Sequence, residues 1–531
     1  MQRRRLGSWL VAHGVEVAFA AIIVVTFVYL LRLGAKMYFQ GDDWPLLHQA
    51  GTFRGILDPY NNHPSMVILA LYRVLFEVFG FAYWPFRVVG LLCLLATPVA
   101  FFASTRQLLT PPLAAVAALS LLSFGTLDLS PSWLNHYLVL IGGIACAAAL
   151  HRGRRADWVL AGALLFSLSA AGGGVAVAAA CLVHNVCTRA SLRRWLVVLG
   201  PFALWGIWQL LNNHGQRRRV PVSESLRYAE DIVRAPFEHL GFGNPVLTAL
   251  VLAAFVGYGL WTIRQGLAAS ANLLSWSTAL GVWAAGLAYS RGSYFLGQPE
   301  VRFDLSFRYE LLALGFALLA VVPRRPIVWP ARFPIATNRP WVIGSAVVIL
   351  ATTVAGAMGT RDEVESRAEL TAATTEATKA ALVVVSLGPA FVPDGVRSNY
   401  YAFGWVTGGE LRALLRRGGS PFQSTPATAD QHLVDVGGVR ALPVGRLNQT
   451  CSPLTEPISR RPNKLDLPLY LWSDRATWPI YVRRFGPDWI KVAELEANQV
   501  VQVNLPALSL DQPWQVRADG ACINGPPQPG E

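Results

Sequence analysis

The sequence predicts a polytopic all-α membrane protein of about eleven transmembrane helices, followed by an extracytoplasmic domain of α/β and β-sandwich character. Three observations carry this expectation. Hydrophobic residues make up 53% of the 531 residues and charged residues only 15%, against about 25% in soluble domains. The apolar residues gather into blocks of about 17–22, the length that crosses a hydrocarbon core of about 30 Å as a helix. The positive charge, formally +13, collects in short loops between those blocks. That distribution argues for a membrane and against the nucleic-acid partner that so basic a soluble chain would suggest.

The basic N-terminus, with Arg3, Arg4 and Arg5, resembles the start of a signal peptide. The apolar stretch behind it, from Val15 to Leu33, is longer than a signal-peptide core. Gly34-Ala35-Lys36-Met37 follows it in place of a small-residue cleavage site, so it reads as a retained first helix. Predicted spans fall at 14–34, 85–104, 107–124, 134–150, 157–172, 173–187, 195–212, 245–263, 271–290, 309–323 and 341–358. With the N-terminus inside, every inside loop carries arginine: Arg3–Arg5, Arg106, Arg152/Arg154/Arg155, Arg189/Arg193/Arg194, Arg264 and Arg324/Arg325/Arg332. An odd number of spans then leaves 359–531 outside, which divides the chain into a membrane domain, 1–358, and an extracytoplasmic domain, 359–531. The apolar segment Ser65–Gly80 is not counted. It is short, and Arg73 and Glu77 lie on one helical face, so it reads as a helix lying at the interface.

The last third changes character. Glu363–Lys379 and Glu410–Arg417 read as helices and Ala381–Ser386 as a buried strand. Short β-like runs follow at His432–Val436, Leu467–Trp472, Pro479–Arg484, Trp489–Leu495, Val500–Leu505 and Trp514–Ala518, punctuated by Pro, Gly and Asp. Of the six cysteines, Cys93, Cys146, Cys181 and Cys187 lie in or beside apolar blocks and read as small buried side chains. Cys451 and Cys522 share the polar third. If that third is extracytoplasmic, a disulfide joins them, and closing so long a loop contributes about 4 kcal/mol.

Chemistry concentrates in the first outside loop, from Tyr38-Phe39-Gln40-Gly41-Asp42-Asp43-Trp44-Pro45 to Asn61-Asn62-His63-Pro64-Ser65. Two adjacent carboxylates at a membrane boundary need a metal, a cation or a shared proton. A carboxylate held there suits the removal of a proton from an acceptor hydroxyl. The plain alternative is a solvated turn after a helix. The order of elements resembles the start of the GT-C superfamily of polyprenyl-phosphate-sugar-dependent glycosyltransferases: a basic N-terminus, one helix, G-D-D-W, a loop ending N-H-P-S, an apolar helix ending F-G, then W-P-F-R-V-V-G-L-L. That superfamily includes protein mannosyltransferases, lipid A aminoarabinose transferases and actinobacterial arabinosyltransferase-type enzymes. In the resemblance, Asp42 or Asp43 takes the acidic position after the first helix. His63-Pro64 matches the H-P element, with Ser65 where a second proline would stand, and Phe86-Arg87-Val88 matches an R-L-P-like entry without its proline. Arg308-Tyr309, behind Gly297–Glu310, matches an Arg-Tyr pair near the donor phosphate, where a guanidinium fork fits phosphate oxygens.

The resemblance implies an inverting membrane glycosyltransferase on the outer face of a prokaryotic plasma membrane. It implies a polyprenyl-phosphate-linked sugar donor and a cell-envelope glycan, lipid or protein acceptor. Asp42 or Asp43 would be the base, and Arg308 would hold the leaving phosphate with Arg302 or Arg217, Arg218 and Arg219 assisting. Those last three arginines lie outside against the charge rule, where a lipid-linked phosphate or anionic head groups would hold them. Asn62, His63, Trp44 and His136 are the candidate sugar contacts, His136 through the polar and aromatic run Ser132-Trp133-Asn135-His136. Asp42 and Asp43 also offer oxygen ligands of the kind that hold Mg²⁺ or Ca²⁺, although one loop supplies few of them. Two rivals stand beside this reading: a transporter or flippase of a lipid-linked sugar, for which Ala171–Gly174 is the candidate broken helix, and a non-catalytic wall-assembly scaffold. The C-terminal domain is a candidate carbohydrate binder.

Overall fold

The computed structural model is mostly helical with a small C-terminal β region. It describes residues 2–39, 42–60, 63–125, 134–212, 222–241, 244–291, 299–324, 378–379, 382, 385–386, 406–419, 440–445, 457–460, 469–473, 477–483, 488–504 and 514–524. The helices are α1 (Gln2–Leu33), α2 (Asp43–Gln49), α3 (Phe53–Leu57), α4 (Met66–Phe79), α5 (Tyr83–Thr105), α6 (Pro111–Gly125), α7 (Leu134–Arg152), α8 (Asp157–Ala170), α9 (Gly174–Cys187), α10 (Leu192–Asn212), α11 (Val222–Leu240), α12 (Pro245–Arg264), α13 (Ala271–Arg291), α14 (Pro299–Val321) and α15 (Gly408–Gly418). The strands are β1 (Arg440–Gly445), β2 (Ile458–Arg460), β3 (Leu469–Trp472), β4 (Trp478–Arg483), β5 (Ile490–Leu495), β6 (Val500–Asn504), β7 (Trp514–Arg517) and β8 (Cys522–Asn524).

Each predicted span from 14–34 to 309–323 falls on a helix, and 341–358 lies outside the described residues. The expected number of crossings, however, needs correction. Among the described residues five helical segments are long and apolar enough to cross a membrane: His13–Leu33, Tyr83–Thr105, Leu134–Ala170, Leu192–Asn212 and Pro245–Arg264. Three more, Pro111–Leu122, Gly174–Cys187 and Tyr309–Val321, are apolar but shorter. Length accounts for the shorter helices, whereas α13, with 21 residues, is long enough but not apolar enough. At 14 residues, α8 and α9 each rise only about 21 Å, short of a core of about 30 Å, because the Ala171–Gly173 break divides them. α6 begins only at Pro111 and has 15 residues. A second correction concerns Ala381–Ser386. Its described residues, Leu382, Val385 and Ser386, are helical, and the buried side chains Thr378, Leu382 and Val385 follow a spacing of four and three. Its described apolar residues, Leu382 and Val385, are buried as expected, but on a helix.

The chain forms two compact units. The first holds Met1–Ala35, Thr52–Leu71 and Phe86–Arg367. Within it α13 packs against α9 and α14, α8 against α7 and α10, and α11 across α13 and α14. The bundle has two distinct ends. At one, Arg194 at the start of α10 donates to the Ala149 and Leu150 carbonyls that finish α7, at 3.1 and 3.3 Å. At that same end Asn272 at the start of α13 donates to Val322 O past the finish of α14, at 3.0 Å. Asn272 also meets His151 Nε2 at 2.9 Å. Those contacts put the joins at 150–157, 187–192 and 264–271 and the end of α14 together, the alternation that an up-and-down helical bundle requires. α10 and α12 turn most of their apolar surface outward, with Leu204 60%, Leu210 83%, Val246 67% and Leu250 60% exposed. Surface of that kind suits lipid.

The second unit holds Lys36–Gly51, Tyr72–Pro85 and Ala368–Glu531. Its β region comprises two four-stranded sheets, ordered β1-β6-β3-β8 and β2-β7-β4-β5. Every pairing is antiparallel. Alternate residues fill the core: Leu469 and Leu471, Ile480 and Val482, Val501 and Val503, and Val516 are buried. β3 to β7 match predicted runs. β1, β2 and β8 were not anticipated, and His432–Val436 lies outside the described residues. Cys522 is disulfide-bonded, while Cys93, Cys146, Cys181 and Cys187 are free thiols. Cys451, the expected partner, lies outside the described residues. α15 opens with a capping box, Thr407 and Glu410 each satisfying the other's backbone N–H. It packs on α2. Arg417 near its finish pairs with Glu77 of α4 and lies over the Phe76 ring. Glu77 therefore finds its described cation far along the chain rather than in Arg73, its neighbour one turn back.

Candidate functional site

The functional residues expected from sequence divide between the two units. In the second unit, the chain leaving α1 packs Tyr38 and Phe39 against Trp44 and Tyr83 in a run of edge-to-face and tilted rings. Burial pushes the Tyr38 hydroxyl well above its ordinary pKa. Trp44 is fully buried and donates Nε1–H to Phe39 O at 3.2 Å. It is therefore a packing residue that fixes the loop, and its indole is closed to a sugar, contrary to the sequence expectation.

Asp42 and Asp43 take different environments. Asp42 is the N-cap residue of α2 and is half-buried, with a helical backbone and no side-chain cap. Asp43 starts the helix itself and is 0% exposed. Tyr72 of α4, also 0% exposed, donates its hydroxyl to Asp43 Oδ1 at 2.6 Å. One residue step of helix, a rotation of about 100°, separates a half-exposed carboxylate from one held by a phenol. The N-terminus of a helix also favours negative charge at both positions. Among the described residues no group of three His, Cys, Asp or Glu gathers that could hold a metal, so this pair has no third ligand there.

In the first unit, a second constellation forms at the end of the bundle where α7 begins. Tyr60 and His63 pair their backbones through two hydrogen bonds, at 3.0 and 2.9 Å. The His63 ring lies against Gly172 in the α8–α9 break, where a β-carbon would stand 2.9 Å from Nδ1. Gly173 is equally constrained, by Leu312, Val139 and Trp283. Around it, His136 of α7 meets the rings of Trp283 and Tyr309 at 6.2 and 5.6 Å, and Trp283 donates Nε1–H to Tyr309 O at 3.1 Å. The glycine break thus admits a cluster of two imidazoles, an indole and a phenol. Sequence reasoning named His63, His136 and Tyr309. It missed Trp283, which lay inside an apolar block with nothing to mark it, and it missed Tyr72 for the same reason.

Arg87 proves to be a joint between helices. It is 3% exposed and donates to Leu30 O in the last turn of α1, with its guanidinium packed on bare Gly34. Any β-carbon at Gly34 would fall on that guanidinium, within 2.0 Å of three of its atoms. Leu30 O also accepts the Gly34 N–H at 3.2 Å, and a cation beside a helix C-terminus is favoured by its dipole, so this arginine joins α5 to the end of α1.

Of the remaining candidates, Asn62 and Arg217, Arg218 and Arg219 lie outside the described residues. Arg302 and Arg308 fall on α14, which starts at Pro299, well before the Arg-Tyr pair that was expected to open it, and their side chains are outside those described. No protein-family model, no curated protein and no solved structure matches this chain.

Proposed function

We propose that the chain is a membrane glycosyltransferase that moves a monosaccharide from a polyprenyl-phosphate donor to a cell-envelope glycan, lipid or protein. The reaction would proceed with inversion on the outer face of the plasma membrane. The observation that carries the reading is the division of labour at the start of α2: Asp42 half-buried and free of a cap, Asp43 wholly buried on the Tyr72 hydroxyl. A base must reach its substrate, and a neighbour clamped by a phenol can hold it in place. Asp42 takes the proton of the acceptor hydroxyl. The hydroxyl oxygen bonds to the anomeric carbon as that carbon's bond to the phosphate oxygen breaks, and polyprenyl phosphate leaves with the bonding pair. Arg308, with Arg302 or Arg217–Arg219, offsets the charge that grows on the phosphate.

The test is sugar transfer by membranes carrying the protein. Asp42→Asn keeps size and hydrogen bonding but loses basicity, so transfer should cease while donor binding persists. Asp43→Asn should retain part of the activity. Near-normal turnover in both variants would remove the first loop from catalysis. The helix break at Ala171–Gly173, with His63 seated on it, favours a second reading as a transporter of the lipid-linked sugar. Movement of donor lipid across vesicles, unaffected by Asp42→Asn, would decide for that reading.

A further inference from the structure

The proposed chemistry leaves the other end of the bundle unused, and it has its own organisation. The two joins there, residues 150–158 and 187–196, contain Arg152, Arg154, Arg155, Arg189, Arg193 and Arg194 against one carboxylate, Asp157. Asp157 is 2% exposed and already committed: Arg193 Nε lies 3.1 Å and Arg194 Nε 4.0 Å from its oxygens. Arg194 is committed too, to the carbonyls that finish α7. Arg154 and Arg155 are different. They stand exposed in the single 3-10 turn Gly153–Ala156, which Gly153 enters at φ +71°. No described carboxylate pairs with either of them.

Directly after that turn, Trp158 is 84% exposed and Val159 54%. On α10, which packs against α8, Leu192 is 75% and Leu196 62% exposed beside the half-free Arg193. Cations at these helix ends, with the Trp158 indole and Leu192 beside them and Leu196 a turn deeper, present charge and apolar surface in the order in which a phospholipid presents phosphate and acyl chain.

We propose that the α7–α8 turn and the adjoining start of α10 form a binding site for an anionic phospholipid. Arg154, Arg155 and Arg193 hold its phosphate, while Trp158 and Leu196 flank the upper acyl chain. Charge complementarity selects an anionic lipid over a zwitterionic one, and the exposed apolar strip selects a lipid over a free phosphate. This site stands independently of the glycosyltransferase reading.

Full-length protein in detergent would be titrated with phosphatidylglycerol, phosphatidylcholine and inorganic phosphate in separate arms, read by native mass spectrometry and melting temperature. Phosphatidylglycerol should bind and raise the melting temperature, while the other two have little effect. The double variant Arg154→Gln, Arg155→Gln should bind phosphatidylglycerol about tenfold more weakly, a few-fold per arginine. It should fold normally, because neither side chain has a described partner to lose. Arg227→Gln, an exposed charge on α11, should bind as the wild type does. Wild-type affinity in the double variant would overturn the site. So would an equal loss in Arg227→Gln, which would mean that only net charge matters, or equal binding of inorganic phosphate, which would mean a small-anion site only.

Discussion

The two ends of the helical bundle solve the problem of polar groups at a membrane boundary in opposite ways. Where α7 begins, the helices are broken and glycine admits side chains: His63 rests on Gly172, and Trp283 packs on Gly173 with His136 and Tyr309 against it. Where α7 ends, the helices finish conventionally and arginine satisfies their last carbonyls. At the first end the backbone is shaped around side chains, and at the second the side chains are shaped around the backbone. A site that must receive a substrate benefits from the first arrangement, and an anchor from the second. Substitutions that distinguish the ends therefore test the functional division as well as the fold.

The largest expected effect is at the glycine break. A β-carbon on Gly174 would stand 2.4 Å from Ser167 O and 2.5 Å from the Leu168 N and Cα, and backbone cannot move aside as a side chain can. Gly174→Ala should cost about 3 kcal/mol or more, the upper range for overpacking. Gly172→Ala meets only the His63 ring at 2.9 Å and should cost less, because that ring can swing away. Thermal unfolding in detergent would rank the two. Equal, small losses would mean that the break is not held by close packing.

Next in size is Asp157→Ala at the arginine end. The substitution strips Arg194, whose side chain is 13% exposed, of its carboxylate, and a buried cation left unpaired costs about 3–5 kcal/mol. The partial access of Arg194 to water and its two carbonyl acceptors put the expectation at the lower bound. Arg193→Ala, at a side chain 63% exposed, should cost about 1 kcal/mol or less. If the arginine variant proved the more damaging, Asp157 would not be the hub of that end.

The arginine end was legible in the sequence; at the glycine end the break at Ala171–Gly174 and the residues His63, His136 and Tyr309 were legible but the contacts that join them were not, for a physical reason. Short-range rules cover the first: apolar blocks set helix ends, and charge bias sets which loops carry arginine. His63 on Gly172, Tyr72 on Asp43 and Arg417 on Glu77 are contacts between residues distant in sequence. No local pattern announces such pairs. The acidic loop itself was legible as chemistry because two adjacent carboxylates beside an apolar block demand an explanation. What hid was the phenol that separates them. The misreading of 381–386 has the opposite origin, since a run of Ala, Leu and Val is buried in either conformation and its length was no guide.

Tyr72→Phe sharpens the comparison between the two aspartates. It removes one hydroxyl between two fully buried groups, so about 1–3 kcal/mol of stability should be lost. Under the proposed mechanism kcat should fall more than KM rises, because the acceptor still binds beside a less firmly held Asp42. Combining it with Asp43→Ala should add little, since both changes remove the same contact. Full additivity would mean that the phenol and the carboxylate act separately.

Among the glycine substitutions the smallest effect should come from Gly153→Ala, and its smallness is the point. Gly153 resembles Gly174 in the sequence, a glycine at a join between two apolar helices, yet nothing lies within 4 Å of its would-be β-carbon. Its only constraint is φ +71°, a left-handed backbone that costs alanine about 1–2 kcal/mol where glycine pays almost nothing. That turn is also solvent-facing at Arg154 and Arg155, so part of the strain can relax by a local shift without disturbing the helices on either side. Alanine should therefore lower the melting temperature slightly while leaving lipid binding intact, because it neither removes an arginine nor covers Trp158. A loss as large as that of Gly174→Ala would show that the turn is packed as tightly as the glycine break, and the contrast between a shaped end and a capped end would no longer hold.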